Sequence, residues 1–441
     1  MSYPEQVITV IERLRSHGVW FQLSENAAPV TSCLDAANNR NRLGVKGIPL
    51  TDELKSLVGT VDSLPSDHII MIHCRANHSF DEGLLASHFG GRFQPMNPER
   101  LEKELGSAYG LVNPFSGFDV PQITQVFDRL LLCRRQPPYT LMTNAGHRRW
   151  GVEFFVQDLI QTLPGASLGK LVREEERAPK AQKIGILTGN SPESGMLLWD
   201  RINQVVREDP RVMLLGDISL PRVSVESVPE MGLSMELEVR AREVEKVVVE
   251  GVRALCEGGA SLVALACNTT QFFAQQCTEV CNDYGATFVS MVDCLERDLV
   301  KRDVRSFDLF GIGSVSNLEK WSAFSQLGAK FHISVPSPKT SIKINDLTVK
   351  VKKGAVGETE RQQLRQLISQ ASVTDMVVVA LTELSILLDS ERKKHLPKKP
   401  FIDTLSLLAE ELAGRHISQY LEIPATEHAL KPTPILQSLP A

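Results

Sequence analysis

Short apolar runs alternate with longer segments of helical periodicity in the second half of the chain. Buried parallel strands have this composition, because helices cover both faces of the sheet and leave no face for polar side chains. We therefore predict an α/β region whose ligands bind at the carboxyl ends of the strands. The predicted strands are KIGILTG (183–189), VMLLGDIS (212–219), ASLVALACN (260–268), ATFVSMV (286–292), FDLFGIG (307–313) and DMVVVALTE (375–383).

The first half has strands and helices without that regular alternation. HIIMIHC (68–74) and YTLMTN (139–144) have the apolar character of strands, and residues 98–110 have helical periodicity. This mixture predicts an α+β domain. Residues 1–20 carry charges within an apolar stretch, so they predict an amphipathic helix and not an export signal.

The periodic pattern stops in a segment rich in proline, glycine and charge, and it resumes afterwards. The repeated design of the later strands predicts that the second domain has two similar parallel-sheet lobes with a site between them. The predicted regions are a first domain (1–163), a charged linker (164–182), a second domain (183–420) and a proline-containing tail (421–441).

The composition and charge of the chain exclude several classes of protein. A chain of 441 residues with 42% hydrophobic and 23% charged residues is typical of a soluble globular protein. The formal net charge of −5 excludes a wholly cationic nucleic-acid binder, so any RNA contact must be local. No apolar stretch approaches the roughly 20 residues that span a bilayer. Eight cysteines without zinc-like spacing predict reduced thiols, no metal and a cytoplasmic location.

Two of the apolar runs lead directly into short polar motifs. These motifs are Cys267-Asn268-Thr269 and Ala380-Leu381-Thr382-Glu383. The arrangement resembles the pyridoxal-phosphate-independent aspartate/glutamate racemase superfamily, whose two lobes usually carry CNT and GCTE motifs. The resemblance implies that Cys267 transfers the substrate's α-proton without a cofactor. It also implies that Asn268, Thr269 and Glu383 line the substrate site.

Two further segments follow in the order of that superfamily. IGILTGNSPESG (184–195) looks like its glycine-rich first turn, where Asn190 and Ser191 begin a helix and offer backbone amides to a carboxylate. The Pro-Arg pair that ends at Arg222 resembles the superfamily's carboxylate-binding segment. The resemblance therefore implies that all three residues bind substrate.

The second motif departs from the superfamily at Leu381, which has no titratable group and cannot replace a thiol. Thr382 is the nearest polar side chain and the remaining catalytic candidate there, although a hydroxyl is a poorer acid or base than a thiol. VKVKKGAVG (349–357) resembles the lysine-bearing segment that precedes this motif. Lys352 is therefore a candidate ligand for a substrate carboxylate, and Lys353 is an equal contender.

A different set of motifs marks the first domain. They are CLDAA (33–37), LGV (43–45), ELKSLV (53–58), GLVNPFSG (110–117) and NAGHRR (144–149). In this order they resemble the YbaK/ProX family of aminoacyl-tRNA editing domains. The resemblance implies hydrolysis by positioning, in which Lys55 and loop amides hold the ester and no nucleophile is required. Asn113 and Gly146 then belong to the site's loops, while His147 and Arg148 contact the acceptor end or the aminoacyl group.

The leading hypothesis is a two-domain enzyme: an aminoacyl-tRNA deacylase-type domain fused to a racemase-like isomerase that acts through one cysteine. Its expected ligands are an acidic or dicarboxylate-like amino acid and the acceptor end of aminoacyl-tRNA. Homodimers are a further expectation, since related racemase domains often pair. One alternative is a one-cysteine lyase, decarboxylase or isomerase acting on a dicarboxylate-like acid. Another is a non-catalytic protein that binds an amino acid or aminoacyl-tRNA.

Overall fold

The computed structural model is a mixed α/β protein with parallel-strand sheets. It describes residues 3–118, 120–132, 140–163, 165–173, 182–212, 216–370, 374, 376–389 and 400–421. These residues divide into two compact units. Unit 1 takes its residues from 1–181, 210–219 and 419–441, and unit 2 takes its residues from 182–209 and 220–418. Apart from Leu421, the predicted tail lies outside the described residues.

Unit 1 combines three sheets with five described α-helices. The helices are α1 (Glu5–Ser16), α2 (Cys33–Asn39), α3 (Glu82–Phe89), α4 (Pro98–Leu105) and α5 (Val156–Thr162). The strands are β1 (Phe21–Glu25), β2 (Asn41–Arg42), β3 (Val45–Lys46), β4 (Leu54–Val61), β5 (Ile69–Arg75), β6 (Phe93–Pro95), β7 (Ile123–Asp128), β8 (Leu141–His147), β9 (Trp150–Phe154) and β10 (Ser167–Gly169). One sheet is antiparallel, in the order β1-β9-β8. A second sheet has the order β10-β7-β5-β4-β6, and its strand β7 is parallel to both of its neighbours. The third sheet is the antiparallel pair β2-β3.

Helix α1 confirms the amphipathic helix predicted at the start of the chain. Its apolar residues recur at helical spacing, and Val7, Ile11 and Leu14 are buried. They pack in one cluster with Phe127 and Phe154 from the sheets. The charged residues of the same segment therefore remain on the opposite face.

Strand β10 changes the predicted domain boundary. The sequence pattern assigns residues 164–182 to a linker, but Ser167–Gly169 pairs with β7, and both Leu171 and Val172 are buried. The Asp128 carboxylate accepts hydrogen bonds from the backbone N–H groups of these two residues, at 2.7 and 3.2 Å. The first domain therefore continues through at least residue 172. The sequence analysis missed this because the pairing of β10 with β7 is a long-range contact that a local run of charges does not reveal.

Unit 2 contains two four-stranded parallel sheets. Its strands are β11 (Lys183–Thr188), β12 (Arg222–Ser227), β13 (Leu262–Leu265), β14 (Thr287–Phe288), β15 (Ser306–Phe310), β16 (His332–Ser334), β17 (Val377–Val379) and β18 (Phe401–Asp403). Its helices are α6 (Pro192–Glu208), α7 (Leu237–Glu257), α8 (Ala274–Asp283), α9 (Met291–Lys301), α10 (Gly313–Ser316), α11 (Pro338–Lys352), α12 (Glu358–Gln370), α13 (Thr382–Asp389) and α14 (Thr404–Leu421). The sheet orders β12-β11-β13-β14 and β16-β15-β17-β18 are the same, so one strand arrangement occurs twice.

One strand that the sequence predicted for the second domain is absent from its expected position. The apolar run 212–219 was predicted as a strand, but residues 216–219 form a 3-10 helix and residues 213–215 lie outside the described part. The strand beside β11 is instead β12, which begins at Arg222. Strand β12 is at the edge of its sheet and largely exposed, so it lacks the apolar run that marks a buried strand. None of the helices in the described ranges has the length and apolar character needed to cross a membrane.

A buried histidine links strands β4, β5 and β7 of unit 1. His73 Nδ1 lies 2.9 Å from Ser56 Oγ, and His73 Nε2 lies 2.9 Å from Gln125 Oε1. Gln125 Nε2 donates to the carbonyl of Pro114, so Gln125 presents its oxygen to the ring and His73 donates through Nε2. Burial lowers the pKa of His73 to about 3, and the ring is therefore neutral near pH 7.

Because His73 is buried in its neutral form, we expect the protein to lose stability as the pH falls. The unfolded chain binds a proton at His73 below about pH 6.5, whereas the folded chain does so only near pH 3. The free energy of unfolding should therefore fall between these pH values, with a contribution approaching about 1.4 kcal/mol per pH unit from this residue. Urea denaturation at pH 7, 5.5 and 4.5 should show a shallower decline for His73→Gln than for wild type. The exposed His88→Gln control should keep the wild-type decline, and equal slopes for all three proteins would exclude this role of His73.

Candidate functional site

Cys267 lies just beyond the carboxyl end of a buried strand of unit 2. All four residues of β13 are buried, and the backbone N–H of Ala266 donates to the Leu187 carbonyl at 2.9 Å, which prolongs the pairing with β11. Cys267 itself is 3% exposed. The strand's apolar side chains fix the sheet in the core, and the thiol is thereby held at the sheet edge where α/β proteins bind ligands.

The turn after β11 brings a polar side chain to this thiol. Asn190 Nδ2 lies 3.4 Å from Cys267 Sγ and 3.0 Å from Ser234 Oγ. Gly189 makes this turn feasible: its φ is +142°, and a Cβ there would lie 1.9 Å from the Val228 carbonyl oxygen. Only glycine permits so close a backbone approach, which is the physical basis of the glycine-rich turn seen in the sequence.

An ion pair between a partly exposed lysine and a buried glutamate adjoins Asn190. Lys352 is the last residue of α11, and its Nζ lies 2.8 Å from Glu383 Oε1. The same ammonium donates to the Asn190 carbonyl at 2.7 Å and to Asn190 Oδ1 at 3.0 Å. The Glu383 side chain is 4% exposed, so its charge is compensated mainly by Lys352. Lys353 is the C-cap of the helix, and the described contacts with Glu383 and Asn190 are made by Lys352 and not by Lys353.

Asn268 is held by a residue that the sequence analysis missed. Thr404 Oγ1 donates to Asn268 Oδ1 at 3.0 Å and lies 3.1 Å from the Val379 carbonyl oxygen. Asn268 is 3% exposed, and its Nδ2 has no hydrogen-bond partner among the described residues. A buried amide N–H group without a partner is costly, so this group is suited to donate to a ligand. Thr404 follows strand β18 directly, which is the signal that could have identified it.

The other predicted residues near these strands occupy buried positions. Thr269 begins a 3-10 helix (Thr269–Phe273) and is 3% exposed. Leu381 and Thr382 follow β17, are each 4% exposed, and lead into α13. Ser191 caps the start of α6 without a side-chain capping bond, and its Oγ donates to Glu193 Oε2 at 3.2 Å. The described hydrogen bonds join neither Thr382 nor Ser191 to Cys267.

Arg222 lies at the opposite end of its sheet. The register pairs Arg222 with Lys183 and Ser227 with Thr188, so Arg222 is beside the first residue of β11. Thr188, the last residue of β11, is five residues further along the strand, which corresponds to roughly 16 Å, and Asn190 lies two residues beyond Thr188. Because of this distance, the proposed site does not include Arg222. The Pro-Arg motif had suggested otherwise, since a short local motif does not show where a residue lies in the strand register.

Lys55 occupies the start of strand β4 in unit 1. Its Nζ donates to the His78 carbonyl, and it lies 5.5 Å from the centre of the Phe80 ring. Cys33 is close enough for Lys55 to influence its pKa, but burial dominates, and together with the charge of Glu53 it raises the pKa of Cys33 to about 11. The thiol is therefore protonated near pH 7 and is a poor nucleophile.

Two asparagines hold the predicted loops of unit 1 together. Asn113 Nδ2 donates to Asn144 Oδ1 at 3.0 Å, and Asn113 Oδ1 caps the following 3-10 helix (Pro114–Gly117). Asn144 Oδ1 also accepts the backbone N–H of Gly146 at 3.0 Å, where φ is +76° and the β8–β9 register shifts. Asn113 and Gly146 are thus joined through Asn144, which the sequence analysis did not select.

His147 and Arg148, the predicted basic residues of the neighbouring turn, form hydrogen bonds with backbone groups. Arg148 Nη1 donates to the Val30 carbonyl at 3.1 Å, and His147 Nδ1 accepts the backbone N–H of Arg149 at 3.2 Å. The sequence has a second short basic segment, CRRQ at residues 133–136, which lies outside the described residues. A buried pair that the sequence analysis missed, Arg40 with Glu53, supports strand β4 from the residue before it, at 2.6 Å.

No protein-family model and no curated protein matches the chain. Solved structures match parts of it. An aspartate racemase homologue from Pyrococcus horikoshii OT3 is 18% identical, over 53% of this chain and 99% of that one, with a TM-score of 0.43. The glutamate racemase of Francisella tularensis, in complex with D-glutamate, is 10% identical over 56% of this chain and 84% of its own, with a TM-score of 0.37. A protein described as a candidate trans-editing enzyme for prolyl-tRNA synthetase is 20% identical over 39% and 100%, with a TM-score of 0.33.

Proposed function

We propose that unit 2 transfers the α-proton of an amino acid through Cys267 on one face only. The observation that carries this proposal is the cluster of Cys267, Asn190, Lys352 and Glu383, in which the thiol has a polar partner. The second motif contributes Leu381 in place of a thiol. A single acid–base group removes and returns the proton on the same face, so exchange without inversion is the expected chemistry.

The Cys267 thiolate takes the α-hydrogen as a proton, and the electrons of the C–H bond move into the carboxylate as an enediolate. Lys352 and the free N–H of Asn268 are suited to stabilise that negative charge by hydrogen bonding. The thiol then returns the proton, or a solvent deuteron after exchange, to the carbon. The same single thiol would also serve the alternative reaction, in which an enediolate formed by loss of CO₂ is protonated.

Incubation in heavy water tests the proposal. Purified protein is mixed with L- and D-amino acids, and products are analysed by chiral chromatography and mass spectrometry. We expect α-deuterium in one enantiomer without formation of the other. Label with inversion would mean that a second group, such as Thr382, acts on the opposite face. Absence of label from every amino acid would overturn the exchange reaction.

We further propose that unit 1 hydrolyses the ester of aminoacyl-tRNA at Lys55. The protonated Cys33 thiol beside this lysine favours a mechanism that positions the ester for attack by water. The Asn113–Asn144–Gly146 connection would provide the rigid loop that such a mechanism needs. The racemase-like chemistry of unit 2 does not depend on this second activity.

Lys55→Ala should lower the rate of deacylation by about 100-fold or more, because one electrostatic contact to the reacting ester is lost. The assay follows release of labelled amino acid from a panel of misacylated tRNAs. Lys103→Ala, an exposed lysine on α4, is the matched control and should retain the wild-type rate. Equal rates for Lys55→Ala and the wild type would exclude Lys55 from the reaction.

A further inference from the structure

The charges around Cys267 cancel in pairs. Lys352 is matched by Glu383 at 2.8 Å, and Arg201 is matched by Asp403 at 2.5 Å. Asp403 immediately precedes Thr404, the residue that holds Asn268, so the second pair adjoins the site as well. Both carboxylates are buried, with side-chain exposures of 4% and 5%. Lys352 and Arg201 therefore each have an anion of their own.

The hydrogen-bond donors of Lys352 are already used by acceptors of the protein. An ammonium has three N–H donors, and the described contacts of Lys352 are Glu383 Oε1, the Asn190 carbonyl and Asn190 Oδ1. An incoming carboxylate reaches Lys352 by displacing one of these acceptors. Arg222, the other predicted carboxylate ligand, is at the far end of its strand. Neither of the two cations that the sequence resemblance offered as carboxylate ligands is therefore available to a second substrate carboxylate.

The energetic consequence depends on the substrate's net charge. A zwitterionic amino acid brings one carboxylate for Lys352 and one ammonium for Glu383, so the buried charge remains balanced. Aspartate or glutamate brings an additional carboxylate close to Glu383 and to the Cys267 thiolate. Burying an uncompensated charge beside like charges is strongly unfavourable.

We propose that the Cys267 site accepts amino acids with uncharged side chains, and that Glu383 excludes aspartate and glutamate. The α-carboxylate binds Lys352 and the α-ammonium binds Glu383. This inference rests on the proposed exchange reaction for its rate measurement, and it replaces the acidic substrate expected from the sequence resemblance. Glu383 is a specificity-determining residue in this arrangement.

Matched substrate pairs test the inference, because asparagine and glutamine have nearly the shapes of aspartate and glutamate without the charge. We expect wild-type protein to label asparagine or glutamine at least about tenfold faster than the matching acid. Glu383→Gln should raise the ratio of acid to amide rates at least about tenfold, because it removes the repelling charge. Glu279→Gln, on the exposed face of α8, should leave the ratio unchanged. Equal or faster labelling of the acids by wild-type protein would overturn the inference while leaving the exchange reaction intact.

Binding to the Cys267→Ser variant separates this inference from the proposed reaction. Isothermal titration calorimetry with asparagine, aspartate, glutamine and glutamate needs no turnover. Tighter binding of the amides by at least about tenfold, without any labelling by wild-type protein, would overturn the exchange reaction and support the specificity. Equal or tighter binding of the acids would overturn the specificity. Absence of binding by all four would overturn both.

Discussion

Cys267→Ser should lower the rate of α-deuterium incorporation by about 100-fold or more, since a serine hydroxyl is a far weaker proton acceptor than a thiolate. The substitution is nearly isosteric, so the Asn190 Nδ2 contact at 3.4 Å can be retained by an oxygen. The measurement is the initial rate of label uptake into the best amino acid of the panel, at saturating substrate. Circular dichroism and the urea midpoint verify that the variant is folded.

A second buried cysteine of the same unit provides the control. Cys294 lies on α9, and burial raises its pKa to about 12, so it remains a thiol near pH 7. Cys294→Ser should therefore keep the wild-type rate of exchange in protein that remains folded. If Cys267→Ser exchanged as fast as wild type, the thiol would have no part in the reaction.

Arg201→Ala should reduce the free energy of unfolding by about 3–5 kcal/mol, because it leaves a buried carboxylate without its counter-ion. Arg201 Nη1 lies 2.5 Å from Asp403 Oδ2, and Nη2 donates to the Ser385 carbonyl at 2.9 Å. The side chains of the pair are 1% and 5% exposed, so solvent screens their interaction very little. Asp403 also accepts from Ser385 Oγ at 2.7 Å, which ties the carboxylate in place.

An exposed ion pair of the same unit is the control for this prediction. Lys330 pairs with Glu296, and their side chains are 61% and 27% exposed. Lys330→Ala should change the free energy of unfolding by less than about 1 kcal/mol, since exposed pairs contribute little. Urea denaturation followed by fluorescence and circular dichroism measures both variants. A change below about 1 kcal/mol for Arg201→Ala would mean that water or another cation compensates Asp403.

Local patterns were sufficient for several parts of this protein. The apolar segments 260–268 and 375–383 predicted buried parallel strands, because a strand covered on both faces has few polar side chains; the structure has β13 and β17 within them. The amphipathic pattern of residues 1–20 predicted a helix, which the structure has as α1 at Glu5–Ser16. The glycine-rich turn was also recognisable, since Gly189 must approach the backbone of Val228 more closely than any side chain would permit.

Other features depended on residues that are distant in the sequence. The pairing of β10 with β7, the choice of Lys352 over Lys353, and the partners of Asn190 are long-range contacts with no local signal. The edge strand β12 escaped prediction because an exposed strand has no apolar run to mark it.

The identities of the chemical groups were readable from the sequence, whereas their charge balance was not. Cys267, Lys352 and Glu383 are visible as residue types, and their motifs indicated a thiol, a cation and a carboxylate. Only the tertiary structure brought Lys352 within 2.8 Å of Glu383 and left Arg222 at the opposite end of the sheet. The reason is physical: electrostatic energy depends on distances between charges in space, and those distances are set by packing of the whole unit and not by local sequence.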